Sequence, residues 1–317
     1  MSVPLNVTQA ARNMFQDGMD HLAQQMHSRF REFALVKTGV KGRASAHRKI
    51  RPGSEMQDST GRLQQTQGEE VNFEHRYIFP KKAVKTSLLD EDDAATLELD
   101  VAPTGDIMIE HGGAAERKVD SIFISGITGI NYEGQEDAMA QVTIPNSMIV
   151  PVDYVHTGGA TNSGLTLAKI VRGKGLFGRN EVLGQNQKME GAKICMAVSQ
   201  DDLDNLLLNV QQVSSADYNK VQALVNGEVD YFAGVHFIRS EQVPTADAGG
   251  GKVVKTLPMW LNKGVYLDFW YDVKTNIDVL PTVSQAIQVY SRLKAGAARK
   301  EEKYVALIMS ENNAYTF

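Results

Sequence analysis

The chain has 317 residues, of which 42% are hydrophobic, 22% charged and 7% aromatic, enough apolar material for one large domain or two ordinary ones and too much for wholesale disorder. A formal net charge of −5 argues against a dedicated nucleic-acid binder, and the single cysteine, Cys195, excludes an internal disulfide framework and a Cys-rich metal site. No apolar run approaches the roughly 20 residues of a membrane span, and residues 1–13 lack the charged-then-apolar pattern of a signal peptide, so no membrane partner is expected.

From the N-terminus, the first pattern is helical. Ala11, Phe15, Met19, Leu22, Met26 and Phe30 recur every three or four residues, with Thr8 placed to cap them, and such a stripe must be buried against something. Residues 37–74 then hold few large apolar groups and are rich in Gly, Ser, Thr, Gln and charge. That stretch builds no core of its own and is too long for a routine connection; it is either disordered or an arm that becomes ordered on a partner, and the arm is preferred. Within it crowd Lys41, Arg43, Arg48, Lys49 and Arg51, with no carboxylate between Phe33 and Ser54. Residues 1–90 carry 14 Lys and Arg against 9 Asp and Glu, whereas residues 91–317 carry 19 against 29. The basic run is either a solvated loop or an extended segment that lays its charge on an acidic neighbour, most simply residues 91–317 of another copy.

Residues 75–89 alternate in part and read as a strand that Pro80 marks as an edge or a bulge. An acidic turn at 90–93 follows. Gly112 and Gly113 precede a long amphipathic helix with the stripe Ala115, Val119, Ile122, Phe123, Ile127 and Ile130. Residues 131–162 read as loop with a short strand at 141–144, and Ser163 or Thr166 opens a second helix towards Leu183. The remainder is α/β in style. A strand at 192–198 leads into a capping-box-like helix start at Ser199, with Leu203, Leu206, Leu207 and Val210 as its buried face. A short helix ends at Asn226 and Gly227. Strands pass through Val235, Phe237 and Arg239, a flexible turn occupies 246–251, and strands follow around 263–269, 283–293 and 304–308.

Motifs for chemistry fail one by one. Gly249, Gly250, Gly251 and Lys252 invite a phosphate-loop reading, but Ala246 stands where the first glycine belongs and Val253 where a Ser or Thr would hold Mg²⁺; a hairpin tip fits better. Gly158, Gly159 and Gly164 lack the strand–turn–helix setting of a dinucleotide site. The seven histidines never fall three or four apart, so no helix presents a two-His face. Asp201, Asp202 and Asp204 sit in a helix's first turn, where the dipole favours them as caps. Cys195 lies mid-strand and reads as a buried structural thiol. No catalytic, cofactor-binding or metal-binding residue is assigned, and no cofactor is expected.

Five segments, in this order of elements, carry a resemblance: GAAERKVDSIFISGITGI (113–130), AKICMAVSQDDLDNLL (192–207), VNGEVDYFAGVHFIRSEQVP (225–244), KGVYLDFWYDVKTNIDVLP (263–281) and YSRLKAGAARKEEKYVALIMSE (290–311). Together they resemble the major capsid proteins of tailed bacteriophages, which share the Hong Kong 97 type fold. The resemblance implies an α+β fold with an N-terminal arm (1–40), an extended E-loop (41–80), a peripheral P-domain (81–190 plus 282–317) with 113–130 as its long spine helix, and an axial α/β A-domain (191–281). It implies a non-enzymatic structural subunit that self-assembles as pentamers and hexamers into an icosahedral shell enclosing packaged double-stranded DNA with little specific binding. Such a chain is found in the virion capsid and assembles in the host bacterial cytoplasm. Because the helical pattern starts within ten residues of Met1, no N-terminal scaffolding segment is expected and a separately encoded scaffolding protein is; portal and cement proteins are the further partners of such shells. Lys41, Arg43, Arg48, Lys49 and Arg51 then become candidate inter-subunit contacts. Two alternatives stand beside this: the shell protein of a cellular encapsulating nanocompartment of the same fold, and a soluble α/β enzyme with a dispersed active site, for which residues 37–74 would be dispensable.

Overall fold

The computed structural model describes residues 25–50, 73–89, 106–135, 138–156, 158, 161–182, 192–210, 230–282 and 286–313. In chain order, a 3-10 turn at Arg31–Phe33 leads to β1 (Leu35–Lys37), β2 (Ser45–Ile50), β3 (Phe73–Ile78), β4 (Lys81–Leu89), α1 (Asp106–Thr128), β5 (Asn131–Gln135), β6 (Ala138–Val142) and β7 (Ile149–Val150). Then come α2 (Leu167–Arg179), β8 (Ile194–Val198), α3 (Gln200–Val210), β9 (Tyr231–Phe232), β10 (Val235–Arg239), β11 (Thr245–Gly249), β12 (Lys252–Leu261), β13 (Val265–Leu280), β14 (Ala286–Arg299) and β15 (Val305–Asn313).

The first sheet has the order β1-β13-β14-β4, with the β13–β14 hairpin as its spine and β1 parallel to β13. The 23-residue helix α1 covers one face of it. Val119 and Ile122 meet Leu267, Phe269, Leu293 and Ala295, each burial worth about 1.5–3 kcal/mol for the larger side chains. At Gly126 an added Cβ would fall 2.5 Å from the Ala297 carbonyl oxygen, so only glycine lets the helix approach β14 this closely. Gly112 and Gly113, expected to precede the helix, lie inside it. A Cβ on Gly113 would press on Met26 Sδ (3.1 Å) and the Gln25 carbonyl (3.3 Å); the glycine makes room for the N-terminal segment.

The second sheet has the order β7-β15-β12-β8-β10-β9, with β11 folded onto β12. It carries the main core: Trp260, Met259 and Leu257 of β12 and all of β8 are buried, with Ile170, Leu176 and Phe177 of α2 and Leu203 and Leu206 of α3 packed in the same cluster. Thr166 caps α2 through the Lys169 N–H, as expected, and Asp202 accepts from the Ser199 N–H in the capping box that opens α3. Strand β12, for which no strand is expected from the sequence, carries Pro258, a residue normally kept out of central strands. Thr256 N donates to Pro244 O, so two residues on the Pro258 nitrogen points the same way, into the gap between the β11 pairing, which ends at Lys255, and the β8 pairing, which starts at Met259. The turn expected at 246–251 is narrower, since 246–249 belong to β11: the β11–β12 tip is Gly249, Gly250 and Gly251, at φ of 78°, 63° and 73°, the left-handed region open to glycine.

The third sheet, β2-β3-β5-β6, joins the polar excursion to the chain after α1. The single strand expected at 75–89 is two strands in two sheets, broken at Phe79 and Pro80. Residues 131–135 and 138–140, expected as loop, pair in the β5–β6 hairpin, in which the strand expected at 141–144 supplies only Gln141 and Val142. Of the expected N-terminal helix only Met26 and Phe30 are among the described residues, and they are not helical. Its earlier part, the acidic turn at 90–93, all of 51–72 and the short helix ending at Gly227 lie outside them.

Candidate subunit-contact surface

The strands β2 and β3 form a ribbon in register from Ser45–Ile78 to Ile50–Phe73. Only His75, Arg76 and Tyr77 are also joined to β5 through the backbone, so among the described residues the backbone of the pairs Lys49–Glu74 and Ile50–Phe73 is laddered only across the ribbon. Two strands by themselves are marginal in water, and the ribbon depends on its root.

That root is ionic and buried. His47 Nε2 lies 2.7 Å from Asp268 Oδ2 on β13, and the imidazole stacks on Tyr266 with centroids 3.9 Å apart. Arg76, 1% exposed, reaches Glu133 at 3.0 Å and Glu302 at 3.1 Å. Lys49 shares Glu133 at 2.8 Å and stands 3.7 Å from Glu301. Burial raises the Glu133 pKa, but the Lys49 hydrogen bond and the Arg76 and Lys49 charges outweigh it and hold the carboxyl below the usual range. Beneath them Arg299 donates to the carbonyls of Ile127, Gly129 and Val142, tying the end of α1 to the β5–β6 hairpin, and burial draws its pKa down to about 10. Trp270 Nε1 donates to Gly42 O at 2.8 Å, fixing the bend before β2.

The N-terminal segment is fastened separately. Buried Asp120 of α1 accepts from Gln25 Nε2, Ser28 Oγ (2.6 Å) and Arg29 N. Phe30 is fully buried, stacked on Phe123 at 5.3 Å and edge-on to Trp260 at 5.8 Å. Arg31 pairs with Glu116 and Asp272, and its guanidinium lies 4.6 Å over the Phe269 ring.

Of the five candidate contact residues, Lys41 and Arg43 are exposed in the bend before β2. Arg48 is exposed on the ribbon, its guanidinium 5.6 Å over the Phe73 ring. Lys49 points the other way, and its acidic partners Glu133 and Glu301 belong to residues 91–317 of its own chain. Arg51 lies outside the described residues. The structure thus brings three of the five onto open surface. The root residues His47, Arg76, Asp268, Glu133, Glu301 and Glu302 carry no local signal, because their partners are distant in the chain, 221 residues for His47–Asp268 and 226 for Arg76–Glu302.

The chemical motifs weighed from the sequence are structural. Asp201, Asp202 and Asp204 diverge: Asp201 pairs with Lys255, Asp202 is buried among Ser199, Ser310 and Asn312, and Asp204 accepts from Gln200. Burial pushes the Cys195 thiol up to about 12, far from a nucleophile's range. Among the described residues no group of three or more His, Cys, Asp or Glu is placed to hold a metal ion.

The sequence profile of the phage capsid protein family matches residues 7–311. The chain belongs to this family. The capsid structure of cyanophage P-SCSP1u is similar over 96% of this chain and 94% of its own, with a TM-score of 0.62 at 16% identity. The capsid of Ralstonia phage GP4 covers 95% of each at a TM-score of 0.66 and 12% identity, and the capsid of a native GTA particle 93% of each at 0.59 and 14%. No curated protein matches the chain in sequence. The fold of this capsid protein is the α+β Hong Kong 97 type that the resemblance implied; the helix expected over 113–130 is α1, Asp106–Thr128.

Proposed function

We propose that this phage capsid protein is the repeating, non-catalytic subunit of an icosahedral shell, assembling as pentamers and hexamers around packaged double-stranded DNA. In this reading 1–40 is the arm, 41–80 the E-loop, 81–190 plus 282–317 the P-domain and 191–281 the A-domain. The observation that supports it best is the β2–β3 ribbon: buried ion pairs fix its root, whereas among the described residues beyond His75 its backbone ladder runs only between its own two strands. A subunit that functioned alone gains little from so firm a base at the foot of a two-stranded ribbon; a subunit that reaches onto a neighbour does. The exposed cations Lys41, Arg43 and Arg48 supply charge for acidic surface on that neighbour, with an effect on register and assembly rate more than on raw affinity. A separately encoded scaffolding protein, a portal and cement proteins complete the partner set, with assembly in the bacterial cytoplasm. The phage family match favours this over a cellular nanocompartment.

Electron microscopy of the full chain, co-expressed with its scaffold, tests the proposal. Closed shells or rings of five and six are expected. A dimer or tetramer as the largest species overturns the shell reading. Lys41→Glu, Arg43→Glu and Arg48→Glu together are expected to leave the subunit's thermal midpoint unchanged and lower shell yield at least tenfold. Lys49 is left out because its charge is already used within the subunit. Normal shells from the triple variant remove these cations from the interface.

A further inference from the structure

The face of the first sheet opposite α1 has a charge pattern that neither the fold nor the ribbon explains. Cross-strand register puts Lys82, Lys294 and Tyr271 in one row and Val84, Arg292 and Lys274 in the next. Each row therefore sets two cations directly opposite on neighbouring or bulge-shifted strands, an arrangement that destabilises a sheet unless something anionic meets it. No carboxylate stands in either row; on the described part of this face Asp268, one row away, is fully buried and taken up by His47, and Asp278 lies two rows away. The cations rest on aromatic rings, Lys274 and Arg292 at 5.6 and 5.5 Å over Tyr271 and Lys294 at 5.7 Å over Trp270. Lys82 and Lys274 are exposed, as are Val84 and Leu88, each 55%. Among the described residues, strand β4 is also an edge of the sheet.

We infer that this face docks the acidic stretch 90–105 of a neighbouring copy in the assembled shell. The inference rests on the shell reading. That stretch holds six carboxylates, Asp90, Glu91, Asp92, Asp93, Glu98 and Asp100, and no cation, and beside them Leu97, Leu99 and Val101. It supplies both kinds of group the face presents, anions for the cationic rows and apolar side chains for Val84 and Leu88. Duplex DNA offers only the first, since its phosphate backbone has nothing to cover two exposed aliphatic residues. In the chain's own copy only Glu98 and Asp100 lie far enough along to reach these rows, and the main run of carboxylates does not. Its densest run of carboxylates ends at Asp93, four residues after β4 stops at Leu89, a reach of at most about 14 Å. The nearer cationic row lies at Val84, about 17 Å back along the strand, and the farther at Lys82, about 23 Å. A neighbouring copy has no such tether.

Two single variants, Val84→Cys and Leu99→Cys, are co-expressed and the particles oxidised and run without reductant. Cys195 is fully buried and does not compete. A disulfide-linked dimer that needs both variants is expected. The same oxidation of the double variant in one chain separates the alternative: an internal loop with no dimer assigns the face to the chain's own segment and overturns the inference. Independently, Lys274→Glu with Arg292→Glu is expected to cut shell yield at least tenfold, and so is Asp92→Lys with Asp93→Lys; combining the four restores it. Unchanged shell yield in both pairs overturns the docking while leaving the shell reading intact, because the unaltered chain still forms shells beside them. Normal shells that retain less DNA in the Lys274, Arg292 variant assign the face to nucleic acid instead.

Discussion

A buried ammonium group needs several acceptors, and Lys169 has four: the carbonyls of Val152 (2.8 Å), Ser163 (2.6 Å), Gly164 (3.0 Å) and Met309 (3.0 Å). One side chain on α2 thus closes the loop before that helix and pins it to β15. Burial lowers its pKa to about 8 against the favourable charges of Asp202, Asp153 and Glu311, so it is still largely charged at neutral pH. Lys169→Met keeps the length of the side chain and strands the carbonyls, and is expected to cost about 3 kcal/mol or more, read as a lower urea midpoint with the same slope. His111 is the other isolated buried group, bridging the Ser87 and Ser291 hydroxyls at 2.8 and 2.9 Å from its two ring nitrogens. Burial lowers its pKa first and the Lys85 charge adds to that, with Glu110 opposing. Its folded value lies below the unfolded one near 6.5, so as pH falls past about 6.5 the unfolded chain takes a proton that the folded chain does not, and stability drops. In His111→Gln the unfolding midpoint is expected to fall less between pH 7 and 5 than in the parent chain. An equal fall means that other groups carry the acid sensitivity.

At the scale of elements, the ribbon root is where the subunit concentrates buried charge. Arg76→Met leaves Glu302 without its closest cation and weakens the neutralisation of Glu133, which keeps Lys49. The expected cost is about 3–5 kcal/mol, and Arg76→Met combined with Glu302→Gln is expected to cost less than the sum of the two changes. Hydrogen exchange over 45–50 and 73–78 should quicken in the single variant while that of β8 and β12 does not. If exchange rises everywhere alike, the root is no separate unit. These elements also mark what could be read from the residues alone. The α2 cap at Thr166, the buried strand β8 and the capping box of α3 depend on neighbours within four residues, and their patterns were legible. The two glycines inside α1 and the proline inside β12 break local rules, and both are excused by contacts from elsewhere: the N-terminal segment beside Gly113 and the gap in the ladder at Pro258. The basic run from Lys41 to Arg51 was visible, but its division into exposed and internally paired cations was not. Glu133 and Glu301 reach Lys49 only through the β3–β5 pairing and the turn after β14.

For the whole molecule, the polar excursion has to be divided rather than treated as one appendage. Residues 45–50 and 73–78 are part of the subunit, carrying His47 and Arg76 into its interior, so removing all of 37–74 would destroy the root and test nothing about assembly. Ile50 and Phe73 are cross-strand partners, so an Asn-Gly turn can join them and replace 51–72 while leaving every root contact in place. A head-to-tail interface closes into rings only if each copy presents two different surfaces, one that reaches and one that receives. Shortening the ribbon removes the first and spares the second. The shortened chain is therefore expected to fold with a thermal midpoint within a few degrees of the parent, to form no rings or shells alone, and to block assembly of the parent chain when mixed with it in excess, because it still accepts a neighbour's ribbon but extends none. Light scattering on the mixture reads this directly. Unhindered assembly of the mixture, or shells from the shortened chain by itself, shows that the contacts holding copies together lie elsewhere on the subunit.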